Sequence, residues 1–224
     1  MNEIILVPIK DFSQAKARLS GLLDKSTREL LAIALADLVC SQSTRSPIRV
    51  VCESPTVASW ARSKHLMVSK NPGIGLNQSV QLAANAARLE GYSRISVIHS
   101  DLPLAQNLDL ITSGVDPAQA VIIPDRLGDG TNLLSLPANS LAGLSRVDGF
   151  CFQYGPRSFQ NHLGQAKALN LDPVVIDPSP LGLDIDTASD WNELVSLQSL
   201  VTSAELNKII NNYKDQVKSA LGTL

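Results

Sequence analysis

Across 224 residues the chain is 44% hydrophobic, while Asp, Glu, Lys and Arg make up only 18%, below the roughly 25% of an average soluble domain. Its 19 basic and 21 acidic side chains leave a net charge of −2, so no polybasic surface is available for nucleic acid or anionic lipid. The longest apolar run, residues 30–36, is far shorter than the roughly 20 residues that span a bilayer, which excludes a membrane-spanning helix.

Residues 4–9 read as a first strand. A helix is expected over 27–41, because Leu30, Leu31, Ala34, Leu35 and Leu38 recur at spacings of three and four, with Ser26 and Glu29 as its capping box. Residues 48–52 form a second strand, Ser54-Pro55 an N-cap and first-turn proline, and 66–68 a short third strand. The Ala-rich run 77–90 is helical and 95–99 is a fourth strand. This β-α-β-α-β-α-β alternation predicts a largely parallel sheet with helices on both faces and ligands at the carboxyl ends of its strands. Beyond Pro103, residues 120–124 and 132–136 look like strands around a polar turn, and 150–154 and 174–177 like two more, so the sheet should be mixed. No linker divides the chain, so one α/β domain over 1–224 is expected. Its tail, 203–224, should be a C-terminal helix. Leu206, Ile209, Ile210, Tyr213 and Val217 share a face of that helix suited to packing or a homodimer contact rather than catalysis.

Glu3 stands where a signal peptide carries Lys or Arg. Cys40, Cys52 and Cys151 form neither a C-x-x-C pair nor an even set. The cytoplasm is the expected compartment.

Charge is concentrated after the first strand. Eight of the twenty residues from 10 to 29 are charged, five of them basic, and Lys16 and Arg18 lie in the long connection to the first helix. Basic side chains there either hold phosphate oxygens or belong to a solvated loop. No G-x-x-x-x-G-K-[ST] occurs, which excludes a P-loop. The turn Asn71-Pro72-Gly73-Ile74-Gly75-Leu76-Asn77 exposes backbone to a ligand, or is a tight turn with an Asn cap. Asp101 closes the fourth strand, where open α/β sheets place functional carboxylates, unless it caps a helix. Period-two spacing would put Asp184 and Asp186 on the same face of a strand. One carboxylate from each cluster would suit Mg²⁺ together with substrate phosphates. Thr131 and Ser158, with small residues and main-chain amides around them, can donate to a phosphate or carboxylate; a hairpin and a Ser N-cap explain them equally. His99 reads as a core histidine or as one that backs the Asp101 site without touching a ligand.

In order along the chain these pieces resemble one family, the guanylyltransferases that make the activated lactyl or enolpyruvyl precursor of the deazaflavin coenzyme F-420. The matching segments are Pro8-x-Lys10, Ala15-Lys16-x-Arg18-Leu19, Gly75-Leu76-Asn77, Asp101-Leu102-Pro103-Leu104, and Ile123-Pro124 leading to Gly130-Thr131-Asn132. Tyr154-Gly155-x-x-Ser158-Phe159-x-x-His162 and Asp184-Ile185-Asp186 follow. The resemblance implies a single-domain nucleotide-diphospho-sugar transferase-like (Rossmann-like) fold with a mixed, mostly parallel sheet. It implies transfer of GMP from GTP to the phosphate of a three-carbon acid (phosphoenolpyruvate, 2-phospho-L-lactate or 3-phosphoglycerate), with release of pyrophosphate. It further implies that Pro8, Lys10, Lys16, Arg18, Gly73, Gly75 and Asn77 bind the nucleotide, with Lys16, Arg18 and Asp101 catalytic. Thr131, Gly155 and Ser158 would hold the acid. Asp101 and Asp186 would carry Mg²⁺, with Asp184 as competing ligand, and a downstream transferase would accept the product. His99 departs from relatives, which commonly have a small or acidic residue there. Two alternatives remain: another nucleotidyltransferase of this fold, for sugar phosphates or molybdopterin, and a nucleotide-binding protein without turnover.

Overall fold

The computed structural model describes residues 2–143 and 148–221. Seven strands form one sheet: β1 (Glu3–Ile9), β2 (Ile48–Cys52), β3 (Met67–Lys70), β4 (Arg94–Ile98), β5 (Val121–Pro124), β6 (Thr131–Pro137) and β7 (Val174–Val175), in the order β3-β2-β1-β4-β6-β5-β7. Every neighbouring pair is parallel except those made by β6, which runs antiparallel to both β4 and β5. The carboxyl ends of β1 and β4 therefore meet the first residues of β6, and His99 N donates to Asn132 O (2.9 Å) at that junction.

Alternation along the buried strands divides the core. Ile5, Val7 and Ile9 of β1 pack on one face with α1 (Lys25–Cys40) and α2 (Pro55–Ser63). Ile4 and Leu6 pack on the other with α3 (Leu76–Leu89) and α4 (Ser158–Ala168). A third cluster joins α1 to α5 (Ala188–Ser196) and α6 (Ala204–Leu221) through Leu35, Trp191, Leu206 and Ile210. Packing thus accounts for Leu206, Ile209, Ile210 and Tyr213, while Val217 is 39% exposed. Residues 222–224 of the expected C-terminal helix lie outside the described residues. No helix among the described residues is long and apolar enough to cross a membrane.

The structure differs from the sequence reading in several places. Helix α1 begins at Lys25 and is capped by Asp24, which accepts from Thr27 N at 2.7 Å and from Ser26 Oγ at 2.8 Å. Ser26 lies inside the first turn, so no Ser26–Glu29 capping box forms. The third strand sits later, at Met67–Lys70. Helix α3 is capped by Gly75, whose φ of +77° favours glycine; Asn77 is not its cap. Helix α5 was not anticipated, although Thr187 and Asp190 form a capping box at its start. Residues 184–186 are a loop, and β7 keeps only two residues of the expected 174–177.

Residues 150–154 are extended but join no sheet, apart from an isolated Leu141–Phe150 bridge. The backbone amides of 151–154 are taken by side chains instead. Cys151 N donates to Gln165 Oε1 (3.0 Å) and Gln153 N to His162 Nε2 (2.9 Å), both on α4. Phe152 N donates to Gln81 Oε1 (3.2 Å) and Tyr154 N to Asn77 Oδ1 (2.7 Å), both on α3. The segment is extended as a strand would be, with alternate amides facing opposite ways; its partners are two helices.

Candidate active site

After β1 the chain makes two short 3-10 turns, Phe12–Gln14 and Ala17–Leu19, anchored by buried Phe12 and Leu19. Asp11 accepts from Ser13 N (2.9 Å) and Ser54 Oγ (2.6 Å), which ties this loop to the start of α2. Between the turns Lys16 adopts φ +55°, ψ +33°, a conformation that costs an L residue roughly 1 kcal/mol. Its side chain turns inward and is only 7% exposed, with Nζ 2.6 Å from Asp101 Oδ2 and 3.4 Å from Asp186 Oδ1. Burial alone would lower the Lys16 pKa, but the Asp101 and Asp186 charges outweigh it and the ammonium is held above its usual range. Arg18 is 75% exposed and 3.8 Å from Asp186 Oδ2. Its guanidinium is free to reach a ligand.

Asp101 follows β4, and its carbonyl accepts from Ile185 N at 3.2 Å. That bond brings the 184–186 loop alongside, so carboxylate oxygens of Asp101, Asp184 and Asp186 lie within 4.8 Å of one another. Burial works against the Asp101 charge, yet Lys16 and His99 keep its carboxyl below the usual range. Lys16 occupies only Oδ2; Oδ1 is buried without a hydrogen-bond partner, an arrangement that costs free energy unless a cation or donor satisfies it. Burial first and Asp101 second push Asp184 up to about 6, although the Asn132 amide opposes the shift. Crowded carboxylates with an unpaired buried oxygen fit a hard divalent cation, which takes oxygen ligands and leaves positions for phosphates and water. The set that sequence spacing singled out is therefore brought together, and Asp184 belongs to it as much as Asp186 does.

Two supporting residues were given no role from sequence, although Asn132 closes the Gly130-Thr131-Asn132 segment. Asn132, 1% exposed, donates to Leu181 O (2.9 Å), Gly182 O (3.1 Å) and Asp184 Oδ1 (3.4 Å); an Asn inside a strand, where its propensity is poor, was the available signal. Arg126 pairs with Asp190 and with Glu193 (3.1 Å). Asp190 Oδ2 in turn accepts from Asp186 N (3.1 Å) and Thr187 N (2.7 Å), so the β5–β6 hairpin holds the Asp186 loop. Within that hairpin Asp125 accepts from Asp129 N and Gly130 N, each at 2.9 Å. A Cβ on Gly130 would stand 2.8 Å from Asp125 Oδ2, which explains the glycine.

The other expected positions divide. Gly73 N and Gly75 N both donate to the Glu53 carboxylate, at 3.3 and 3.1 Å, so these amides already have a partner. Asn77 faces away from that turn and clasps Tyr154, accepting from its N–H (2.7 Å) and donating to its carbonyl (3.1 Å). Pro8 is half-buried in β1 and Lys10 is exposed beyond it. The amides at the start of α4 are not free: Arg157 N donates to Asp129 Oδ1 (3.2 Å), Ser158 N to Gly155 O (3.1 Å) and Phe159 N to Asp129 O (3.0 Å). Arg157, in a left-handed conformation, is the N-cap residue; Ser158 is not. What remains for a ligand is the exposed Gly155 and the hydroxyls of Ser158 and Thr131, both buried.

Thr131 Oγ1 lies 3.0 Å from His162 Nδ1, and burial lowers His162 to about 4. The Tyr154 ring connects the two sides, 4.9 Å from His162 and 5.4 Å from His99. Burial outweighs the Asp101 charge and keeps His99 below its usual pKa, so His99 stands neutral beside Asp101. A separate cleft of about 620 Å³ between the end of α1 and the start of α6 contains none of these groups.

A family model described as "Guanylyl transferase CofC like" matches residues 3–215. The chain is 28% identical over 200 residues to a phosphoenolpyruvate guanylyltransferase of Sphaerobacter thermophilus, covering 87% of this chain and 93% of that protein. It is 31% identical over 205 residues to a 2-phospho-L-lactate guanylyltransferase of Methanosphaera stadtmanae, covering 87% and 85%. In three dimensions it is similar to a Desulfovibrio desulfuricans G20 protein described as a nucleotide-diphospho-sugar transferase. That match has a TM-score of 0.77 at 16% identity, with 97% of both chains covered.

Proposed function

Since the chain belongs to the CofC-like guanylyltransferase family, we propose that it transfers GMP from GTP to the phosphate of phosphoenolpyruvate, 2-phospho-L-lactate or 3-phosphoglycerate. The observation that carries this reading is the orphaned Asp101 Oδ1 amid three carboxylates, with Lys16 and Arg18 alongside. One phosphate oxygen of the acid bonds to the α-phosphorus, the bond from that phosphorus to the bridging oxygen breaks, and pyrophosphate leaves with the electron pair. The attacking oxygen is already anionic, so no protein base is required. Positioning and charge neutralisation suffice for such a displacement.

Lys16, fixed by Asp101, would neutralise the charge that develops between the α- and β-phosphates, and Arg18 would bind the departing pyrophosphate. Asp101, Asp184 and Asp186 would hold Mg²⁺, which supplies Lewis-acid stabilisation of the phosphate oxygens when bound. Pro8, Lys10 and the Gly73 to Gly75 turn line the nucleoside, with Glu53 keeping the turn in shape. Thr131, Gly155 and Ser158 receive the acid. The whole chain works as one catalytic unit in the cytoplasm, where a further transferase consumes the product.

The decisive assay supplies the purified protein with GTP, Mg²⁺ and each acid in turn, and measures pyrophosphate. Release with at least one acid and none without is expected. Tight GTP binding with no release from any of the three would leave a nucleotide-binding protein instead.

A further inference from the structure

We propose that His162 is a positioning residue that makes the Thr131 hydroxyl an obligate hydrogen-bond donor toward an anionic oxygen of the acceptor acid; the inference rests on the acceptor site proposed above. The argument follows from what an imidazole can do. Gln153 N–H donates to His162 Nε2 at 2.9 Å. A backbone amide has only a proton to offer, so Nε2 is bare. A neutral ring with a bare Nε2 carries its proton on Nδ1. That proton lies along the 3.0 Å contact to Thr131 Oγ1, so Thr131 accepts. Were the threonine to donate instead, neither ring nitrogen would carry a proton and the ring would be an anion. Were the ring doubly protonated, Nε2–H would oppose the Gln153 amide. One polarity satisfies the chain: Gln153 N–H to His162, His162 Nδ1–H to Thr131.

The Thr131 hydroxyl hydrogen is left over. Thr131 and His162 are both 0% exposed, and no other hydrogen bond to Thr131 Oγ1 occurs among the described residues. Ser158 lies four residues before His162 on α4, hence on the same face one turn away. It is 2% exposed, and its hydroxyl likewise makes no hydrogen bond among the described residues. Two sheltered hydroxyls with unused protons, beside the exposed Gly155, suit an acceptor without protons of its own, a phosphate or carboxylate oxygen. The orientation is rigid because the source of the polarity is rigid. The Gln153 amide belongs to the 151–154 segment, whose four N–H groups are pinned alternately by α3 and α4.

The proposal is tested on the full chain labelled with ¹⁵N at histidine, recording long-range proton–nitrogen correlations at neutral pH. His162 should show a protonated Nδ1 and a bare Nε2; a protonated Nε2 overturns the inference without reference to any substrate. Kinetics supply the second arm. Thr131→Val and His162→Phe should each raise the KM for the acid roughly tenfold or more, the loss expected for a hydrogen bond to a charged group, with the KM for GTP and kcat nearly unchanged. Thr131→Ser should restore most of the loss. If His162 acts through Thr131, the double variant is no worse than Thr131→Val alone; additive losses would reduce His162 to packing and overturn the proposal. An unchanged acid KM in Thr131→Val, with the Nδ1 proton in place, overturns the donor role and locates the failure in the acceptor-site reading rather than in the tautomer.

Discussion

The two sides of the site are built on opposite principles. On the β1–β4 side, charges are stacked against one another: Lys16 is pressed to 2.6 Å from Asp101, a second contact reaches Asp186, and Asp101 Oδ1 is left without a partner. On the β6–α4 side the buried groups carry no charge. Thr131, Ser158, His162 and Tyr154 are buried and neutral, and their order comes from hydrogen-bond direction. Transfer at a triphosphate requires the first kind of wall, because charge develops on the leaving group and must be met by charge already in place. Seating a small anion requires only donors that point the right way, at low electrostatic cost. Variants on the first side should therefore act on turnover and metal dependence, and variants on the second on the KM for the acid.

The largest effect should come from breaking the Lys16–Asp101 pair. Asp101→Asn should lower kcat roughly a thousandfold, in keeping with the removal of a preorganised electrostatic group, while the protein stays folded by circular dichroism. Lys16→Met leaves Asp101 buried without its cation and should destabilise the metal-free protein by about 3 kcal/mol in denaturant titration. Near-normal turnover in Asp101→Asn would end the contrast between the two sides.

Asp184 sharpens it. Its carboxyl is raised to about 6 by burial and by Asp101. A carboxyl raised above its unfolded value adds stability at low pH, and that contribution is lost as pH rises through about 6. The metal-free protein should therefore lose about 1 kcal/mol at this group between about pH 5 and pH 7, the upper part of a loss that begins near pH 4, and Asp184→Asn should flatten that slope. Mg²⁺ should reverse the loss in the parent protein and not in the variant, because the cation binds the ionised form. Thermal melts at both pH values, with and without Mg²⁺, measure this; an unchanged slope in Asp184→Asn would remove Asp184 from the cluster.

The sheet was legible because strands buried on both faces are short continuous apolar runs, as Ile4 and Leu6 on one face and Ile5 and Val7 on the other show. The carboxylates were legible by type and position, since strand ends and period-two spacing are local properties. What stayed hidden was long-range bonding between side chain and backbone. Residues 150–154 carry a strand's pattern, yet nothing local says that Asn77, Gln81, His162 and Gln165 replace a neighbouring strand. The Glu53 carboxylate under the Gly73 and Gly75 amides, and the Asp129 contacts that occupy the start of α4, were hidden for the same reason. Both convert backbone that looked open to a ligand into backbone already satisfied.

Asn77 gives the smallest and most discriminating effect. It follows the glycine turn proposed to line the nucleoside, and the family resemblance implies that it binds the nucleotide. Its amide instead grips both backbone groups of Tyr154 on the acceptor side. Asn77→Ala removes two hydrogen bonds at the end of the 151–154 segment, each worth about 1 kcal/mol net. The other amides of the segment keep their partners, so the backbone should loosen at Tyr154 and Gly155 without collapsing. The KM for the acid should then rise several-fold, as roughly 1 kcal/mol of lost order implies, with the KM for GTP unchanged. The reverse result, a raised KM for GTP alone, would return Asn77 to the nucleoside and show that the Tyr154 clasp opens when GTP binds. The position of Asn77 at a helix start, between the glycine turn and Tyr154, cannot separate these outcomes; only the two KM values do.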